Sequence, residues 1–327
     1  MARVAVVFTG GTISMRFDAA AGGAVPSLDG AAILARTPGL DGIADVEPVD
    51  WGLVPASHLA FGQLLDLAGT VRAALAQPDV DGAVVVQGTD TIDESAFALD
   101  LLCDGGKPVV VTGAMRNAGE DGYDGPANLR DAVRAAAHPD LRGQGGLVVL
   151  AGAILPADDA QKMHTTAYTT FQAPNTGPLG VVQAGEVRVH HRRARRRVLP
   201  GLPATVPEPI VLLTAVTGMD GTLARLAIGQ AGARGLVVAA TGAGNTHPDL
   251  LAAAVEAMTG GVPVVLVSRA TAGGVQPSYA FPGGGAQWLR AGAMLAGTLT
   301  GPKARIALGL ALGAGLEGDA LAALVAG

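Results

Sequence analysis

The run AVVVQGTDTIDESAFALDLL, residues 83–102, decides the fold class. It opens on a short, largely β-branched block, Ala83 to Val86, of the kind that fills a buried strand. Gln87, Gly88, Thr89, Asp90 and Thr91 interrupt it, and Ile92 to Leu102 then reads as a helix. Strand, tight polar turn and helix in succession make the unit from which parallel sheets covered on both faces are built. The alternation repeats in both directions. Further apolar blocks lie at Val4 to Phe8, Pro108 to Val111, Leu147 to Leu150, Ile210 to Leu213, Leu236 to Ala239 and Val262 to Val267. Stretches of helical length lie around Leu64 to Leu75, Ala127 to Ala137, Thr222 to Ala231, Leu250 to Met258 and Lys303 to Leu312. This pattern predicts an α/β protein. Between the two series Pro200, Pro203, Pro207 and Pro209 follow a dense basic run, a composition that resists regular structure. The expected organisation is therefore a domain over 1–190, a linker over 191–209 and a second domain over 210–327.

Composition narrows the function classes. A chain of 327 residues buries a substantial core without disulfides or structural metal. It is 49% hydrophobic, but its apolar residues fall in short blocks broken by 48 glycines. None approaches the roughly 20 uninterrupted residues of a spanning helix. Met1 leads directly into Val4 to Phe8 without a basic segment or a small-residue cleavage site, which argues against secretion. The single cysteine, Cys103, excludes an internal disulfide and reads as a buried thiol, and the six histidines never meet zinc spacings, so no zinc site is expected. The net charge of −6 argues against nucleic-acid binding. His190, His191, Arg192, Arg193, Arg195, Arg196 and Arg197 carry no interleaved aromatic and read as a solvated edge or linker face. A cytoplasmic protein acting on a small molecule is the expectation.

In open parallel sheets the ligand lies beyond the carboxyl ends of the strands. Those ends share a theme: Thr9, Gly10, Gly11 and Thr12 follow the first block, Gln87 to Thr91 the second, Thr112 to Arg116 the third. Thr241 to Asn245 and Ser268 with Arg269 do the same in the second series. Glycine lets backbone amides approach a ligand, and threonine supplies a hydroxyl without charge, which suits a small polar substrate. Thr91 and Glu94 fit a capping box and predict a helix cap, leaving Thr89 and Asp90 at the positive end of the helix, where a zwitterion would be met. Lys162 stands among few other cations, and an amine there can act as a base for a threonine hydroxyl.

Together these segments resemble the bacterial-type L-asparaginases, including asparaginase-glutaminases, over nearly the whole chain. Thr9 to Ile13 is similar to the family's TGGTI signature and Gln87 to Thr91 to its HGTDT signature. Thr112 to Arg116 with Asp124, Gly125, Pro126 and Asn128 looks like its GAMR and DGP-x-N segment. Lys162, Gly177 to Gly180, Gly242 to Asn245, Ser268, Arg269 and Pro302 to Arg305 follow in the family's order. The resemblance implies a larger N-terminal domain with a mainly parallel sheet flanked by helices, a smaller C-terminal α/β domain, and a homodimer or homotetramer with sites between subunits. It implies hydrolysis of L-asparagine through a covalent acyl-enzyme, with weaker activity on L-glutamine and no metal or organic cofactor, Thr12 being the nucleophile and Thr89 and Lys162 completing the catalytic group. Asp90 would hold the substrate α-amino group, Ser57 its carboxylate, and Gly88 and Ala114 would line the site. Asn245 would reach a substrate in an adjacent subunit.

Two departures stand out. The family's mobile loop after the first motif commonly carries a tyrosine, but residues 14–27 contain none, which leaves Arg16 or Tyr279 as candidates to organise a closed lid. Gln87 replaces the usual histidine. Other readings are an amidase for another small amide, or a non-catalytic sensor of asparagine or aspartate; the lysine argues for catalysis. A Rossmann dinucleotide site is disfavoured because the first glycines do not form G-x-G-x-x-G.

Overall fold

The computed structural model describes residues 1–326 and divides into two compact units, Met1–Val198 and Leu199–Gly327. The first contains strands β1 (Arg3–Phe8), β2 (Met15–Asp18), β3 (Gly23–Pro26), β4 (Asp45–Asp50), β5 (Gly82–Val86), β6 (Val109–Thr112), β7 (Gly146–Leu150), β8 (Ala153–Pro156), β9 (Gln161–Lys162), β10 (Phe171–Gln172), β11 (Gly180–Gln183) and β12 (Glu186–Val189). Its helices are α1 (Gly30–Ala35), α2 (Phe61–Ala76), α3 (Ile92–Leu102) and α4 (Gly125–Ala137). Eight strands form one sheet in the order β12-β11-β8-β7-β6-β5-β1-β4. The five from β7 to β4 are parallel, and β8, β11 and β12 extend the sheet antiparallel beyond β7.

The apolar blocks become strands because both sheet faces are covered. Val4, Val6, Phe8, Val84, Val86, Val110, Leu147 and Val149 share one core with Leu129, Ala132, Val133 and Ala136 of α4. The alternate residues Ala5, Val7, Val85, Val109 and Val111 are also fully buried and by strand periodicity face the other way. β4 was not among the expected strands. Its sequence, DVEPVD, is that of a sheet edge, where charge and proline blunt unpaired backbone. Its position has a consequence: from β1 the chain runs outward to β4, then returns to β5 on the other side of β1. The strand order reverses between β1 and β5, and a doubly wound sheet opens a crevice at such a point.

The basic run meets its expected solvated state only in part: His190, His191, Arg192 and Arg195 are exposed, whereas Arg193 and Arg196 turn inward. Asp100, near the end of α3, is 1% exposed, and a carboxylate there requires charged partners. Arg193 supplies two hydrogen bonds, at 2.9 and 2.8 Å, Arg196 a third at 3.0 Å, and the Gly146 amide a fourth at 2.8 Å. Burial pulls the Arg193 guanidinium down, but the Asp100 carboxylate outweighs it and holds the group above its ordinary range. The arginines thus fasten the end of the first unit to its own interior.

The second unit contains β13 (Ile210–Thr214), β14 (Gly235–Ala240), β15 (Val264–Ser268) and β16 (Met294–Leu295), with α5 (Thr222–Gly229), α6 (Pro248–Thr259), α7 (Gly285–Arg290), α8 (Gly301–Gly313) and α9 (Gly318–Ala326). The four strands are parallel and pair in chain order. Leu236, Val238, Leu266 and the fully buried Trp288 centre its core. Arg225 of α5 forks onto Asp249 of α6 at 3.0 and 2.9 Å and reaches Glu256 at 2.9 Å. Among the described residues no helix is long and apolar enough to cross a membrane.

Two outcomes follow. Asp100→Ala removes the carboxylate that Arg193 and Arg196 share, leaving Arg193 only Asp158 at 3.1 Å as an ion-pair partner, and is expected to cost about 3–5 kcal/mol in urea unfolding. In the second unit the Arg225 hydrogen bond, with the Gly221 amide, pulls the Asp249 carboxyl down to about 2. A depressed folded value means the contribution is complete above the ordinary carboxylate range and is lost as pH falls towards about 2. The melting-temperature gap between the parent chain and Asp249→Asn should therefore be widest near neutrality and close as pH falls from about 4. A gap constant with pH would refute this assignment.

Candidate active site

Two turns meet at the reversal point. After β1, Thr9 is tied back to Val86 by its amide (3.0 Å) and hydroxyl (3.1 Å). Residues Thr12–Ser14 then form a 3₁₀ turn closed by the Ser14 hydroxyl on Gly11 O at 2.7 Å. After β5, Thr89–Thr91 form a second 3₁₀ turn that opens α3. The turns touch at backbone level: a Cβ on Gly11, whose φ is +93°, would lie 2.2 Å from Gly88 N and 2.3 Å from Gly88 Cα. Only glycine satisfies both the torsion and the contact. Thr12 and Thr89 follow directly on the two glycines in contact; Thr89 is buried and Thr12 half-buried.

Lys162 is delivered to the same place by β9. Its Nζ donates to Thr89 Oγ1 at 3.0 Å and to Asp90 Oδ1 at 2.8 Å. The lysine side chain is 16% exposed and the Asp90 side chain 70%, so the pair has one screened end and one wet end. Asp159, just before β9, shapes the approach by accepting from Asn175 and Thr176.

The third strand end is held from behind. Asp124 accepts from the amides of Met115 and Arg116, and Asn128 donates to Gly113 O at 3.0 Å. Ala114 is thereby buried beside Gly113, whose Cβ would strike Gln87 O at 2.4 Å and Thr89 Cγ2 at 3.2 Å. A fourth segment arrives from β4: Val54 N donates to Thr9 O at 2.8 Å, and the turn Ala56–His58 passes over Gly88, where an added Cβ would meet Ala56 Cβ at 3.0 Å. Ser57 sits exposed on that turn. Thus Thr12, Ser57, Gly88, Thr89, Asp90, Ala114 and Lys162 gather around one strand-end cluster.

Asn245 and Tyr279 belong to the second unit. Asn245 closes a turn on Thr241 (3.0 and 2.9 Å), and its Oδ1 is buried without a hydrogen-bond partner among the described residues. Tyr279 is 47% exposed, with its ring centroid 5.7 Å from that of Phe281. Arg16 lies exposed on the β2–β3 hairpin, opposite Val25.

Two features escaped the sequence reading. Tyr123 donates from its hydroxyl to Ile13 O at 2.9 Å, next to Thr12. Burial pushes this phenol up to about 12, so it keeps its proton at neutral pH. Its signal was its place between Arg116 and the Asp124 to Asn128 segment, a stretch that motif spacing treats as filler. Thr91 occupies the N-cap position of α3 as expected, but its side chain makes no capping hydrogen bond. The hydroxyl instead donates to Ala56 O at 3.0 Å and accepts from Gln87 Nε2 at 3.3 Å.

Threonine, lysine and aspartate thus meet at the reversal point of a doubly wound sheet, the place where open α/β sheets hold their ligands. Residues 3–195 match the family described as Asparaginase, N-terminal, and residues 209–325 match Glutaminase/Asparaginase C-terminal domain. The chain belongs to the asparaginase family. It is 38% identical to a probable L-asparaginase of Deinococcus radiodurans, over 94% of this chain and 91% of that protein. It is 31% identical to an L-asparaginase of Bacillus licheniformis, covering 97% of each. A glutaminase-asparaginase of Pseudomonas fluorescens biotype A is 31% identical over 84% of this chain and 77% of its own length.

The Gly11 contact carries its own test. Gly11→Ala forces a methyl group into the Gly88 backbone and is expected to cost about 1–3 kcal/mol in chemical denaturation. Gly62→Ala, on the exposed face of α2 where an added Cβ meets nothing within 4 Å, should be neutral or gain up to about 1 kcal/mol.

Proposed function

We propose that this protein is an L-asparaginase that hydrolyses L-asparagine to L-aspartate and ammonia, with L-glutamine as a slower substrate. The observation that carries the reading is the junction at Lys162, whose amine reaches Thr89 at 3.0 Å and Asp90 at 2.8 Å. The nucleophile turn lies against the same strand end through Gly11 and Gly88. The names of the relatives support the substrate class.

In this reading the Asp90 carboxylate takes the substrate α-ammonium and Ser57 takes the α-carboxylate, which leaves the side-chain amide facing Thr12. The Thr12 Oγ attacks the carboxamide carbon, and its proton passes through Thr89 and Lys162 towards the departing nitrogen. Ammonia leaves as the C–N bond breaks, and an acyl ester remains on Thr12. Water then attacks the ester carbon, releases aspartate and returns the proton to Thr12. Backbone amides around Gly88, Thr89 and Ala114 are the donors assigned to the developing oxyanion. One methylene separates asparagine from glutamine, a difference worth only about 1–3 kcal/mol to a pocket. A cytoplasmic setting and an assembly of two or four copies belong to the same reading. In that assembly Asn245, whose Oδ1 has no hydrogen-bond partner among the described residues, serves the site of a neighbouring copy.

Ammonia release by the purified protein tests the assignment. Thr12→Ala should lower kcat by about 10³-fold or more and Lys162→Met by about 10²- to 10⁴-fold, with circular dichroism unchanged. A parent protein that binds aspartate yet releases no ammonia would instead identify a sensor, the reading favoured by a β2–β3 hairpin without tyrosine.

A further inference from the structure

Thr91 poses a question that the proposed chemistry leaves unanswered. It stands where a helix cap belongs, yet its hydroxyl turns away from α3 towards Ala56 O, across a sequence gap of 35 residues. A hydroxyl has one proton and two lone pairs, so the direction of its donation depends on what else approaches it. What approaches is Gln87, whose side chain is wholly buried. Its Nε2 lies 3.4 Å from Gly88 O and 3.3 Å from Thr91 Oγ1, and its Oε1 has no hydrogen-bond partner among the described residues.

The orientation of that amide is dictated by its surroundings. With nitrogen and oxygen exchanged, Oε1 would face the Gly88 carbonyl, acceptor against acceptor. The donor end therefore points at Gly88 O and Thr91 Oγ1. This occupies a lone pair of the Thr91 hydroxyl and commits its proton to Ala56 O. An unpartnered buried acceptor costs stability, and Gln87 retains one while fixing the direction of a single hydroxyl. That hydroxyl joins two pieces of the site that are remote in sequence: the Ala56–His58 turn carrying Ser57, and the Thr89–Thr91 turn carrying Asp90.

We propose that Thr91, oriented by Gln87, is a positioning residue for the substrate's α-carboxylate: it sets the separation of Ser57 from Asp90 and so the span of the amino-acid grip. The proposal rests on the assignment of Ser57 and Asp90 as the two ends of that grip. A span set in this way governs binding of any α-amino acid with a short side chain and has little part in breaking the amide bond. Loss of the hydroxyl therefore raises KM and leaves kcat nearly untouched.

The test compares the parent chain with Thr91→Val, Thr91→Ser, Gln87→Met, Ser57→Ala and the double variant Thr91→Val/Ser57→Ala. Aspartate binding is followed by calorimetry and ammonia release by steady-state kinetics. Thr91→Val should weaken aspartate binding and raise the asparagine KM by about 3- to 10-fold, the worth of one hydrogen bond, with kcat within about twofold. Thr91→Ser, which keeps the hydroxyl, should restore the parent values, and Gln87→Met should shift them in the same direction as Thr91→Val but less. Because Thr91 acts through Ser57, the double variant should bind no more weakly than Ser57→Ala alone. Parent-like binding in Thr91→Val beside weakened binding in Ser57→Ala would leave the grip standing and overturn the proposal. Effects that multiply in the double variant would overturn it too. Parent-like binding in Ser57→Ala would remove the grip itself and the proposal with it. Should Thr91→Val fail to fold, Gln87→Met carries the same test.

Discussion

The backbone contact between Gly11 and Gly88 is the constraint on which the site depends. Two strands that neighbour each other in a parallel sheet, β1 and β5, end side by side, and the turns that leave them must pass without a side chain between them. Gly11 meets this requirement with a left-handed backbone and no Cβ, so Thr12 and Thr89 follow from adjacent points rather than across a gap. β1 and β5 are neighbours because the chain visits β4 on the far side of β1 before returning, and this reversal of strand order marks the junction as the place for a site. The site's location is in this sense a property of strand order, and its chemistry is a property of the residues that end the strands.

Around that contact, charge is placed where its desolvation is answered. Lys162 and Asp90 form a pair with one screened and one exposed end, so the carboxylate stays open to solvent while the amine stays close to the Thr89 hydroxyl. Asp100 is the opposite case. It is sealed inside and satisfied by two arginines and a backbone amide, and it holds structure in place without meeting solvent. The same kind of ion pair is thus half open at the strand ends and sealed at the helix end, and burial separates the two cases.

The loops beyond the strands are fastened to one another by single polar groups rather than by regular structure. Tyr123 ties the 113–124 segment to the Thr12–Ser14 turn through Ile13 O, Tyr168 ties the β9–β10 hairpin to the same segment through Gly122 O at 2.8 Å, and Thr91 ties the Ser57 turn to the opening of α3. Such cross-links let loops of different origin hold a ligand at fixed spacing while the sheet beneath them bears the folding energy.

The class of fold and the set of residues available to the site are legible in local pattern along the chain. Blocks such as Val4 to Phe8 and Ala83 to Val86 are readable as buried strands because a sheet covered on both faces demands continuous apolar residues, and Ile92 to Leu102 is readable as a helix from its length and composition. Glycine and threonine at the strand ends were legible for the same local reason. β4 was not, because an edge strand carries acids and proline and resembles a loop. The direction of the Thr91 hydroxyl, the place of Tyr123 beside Ile13 and the burial of Arg193 and Arg196 on Asp100 were decided only by the tertiary structure. Each depends on a partner tens of residues away, brought near by strand order, and local pattern carries no information about which distant group will arrive.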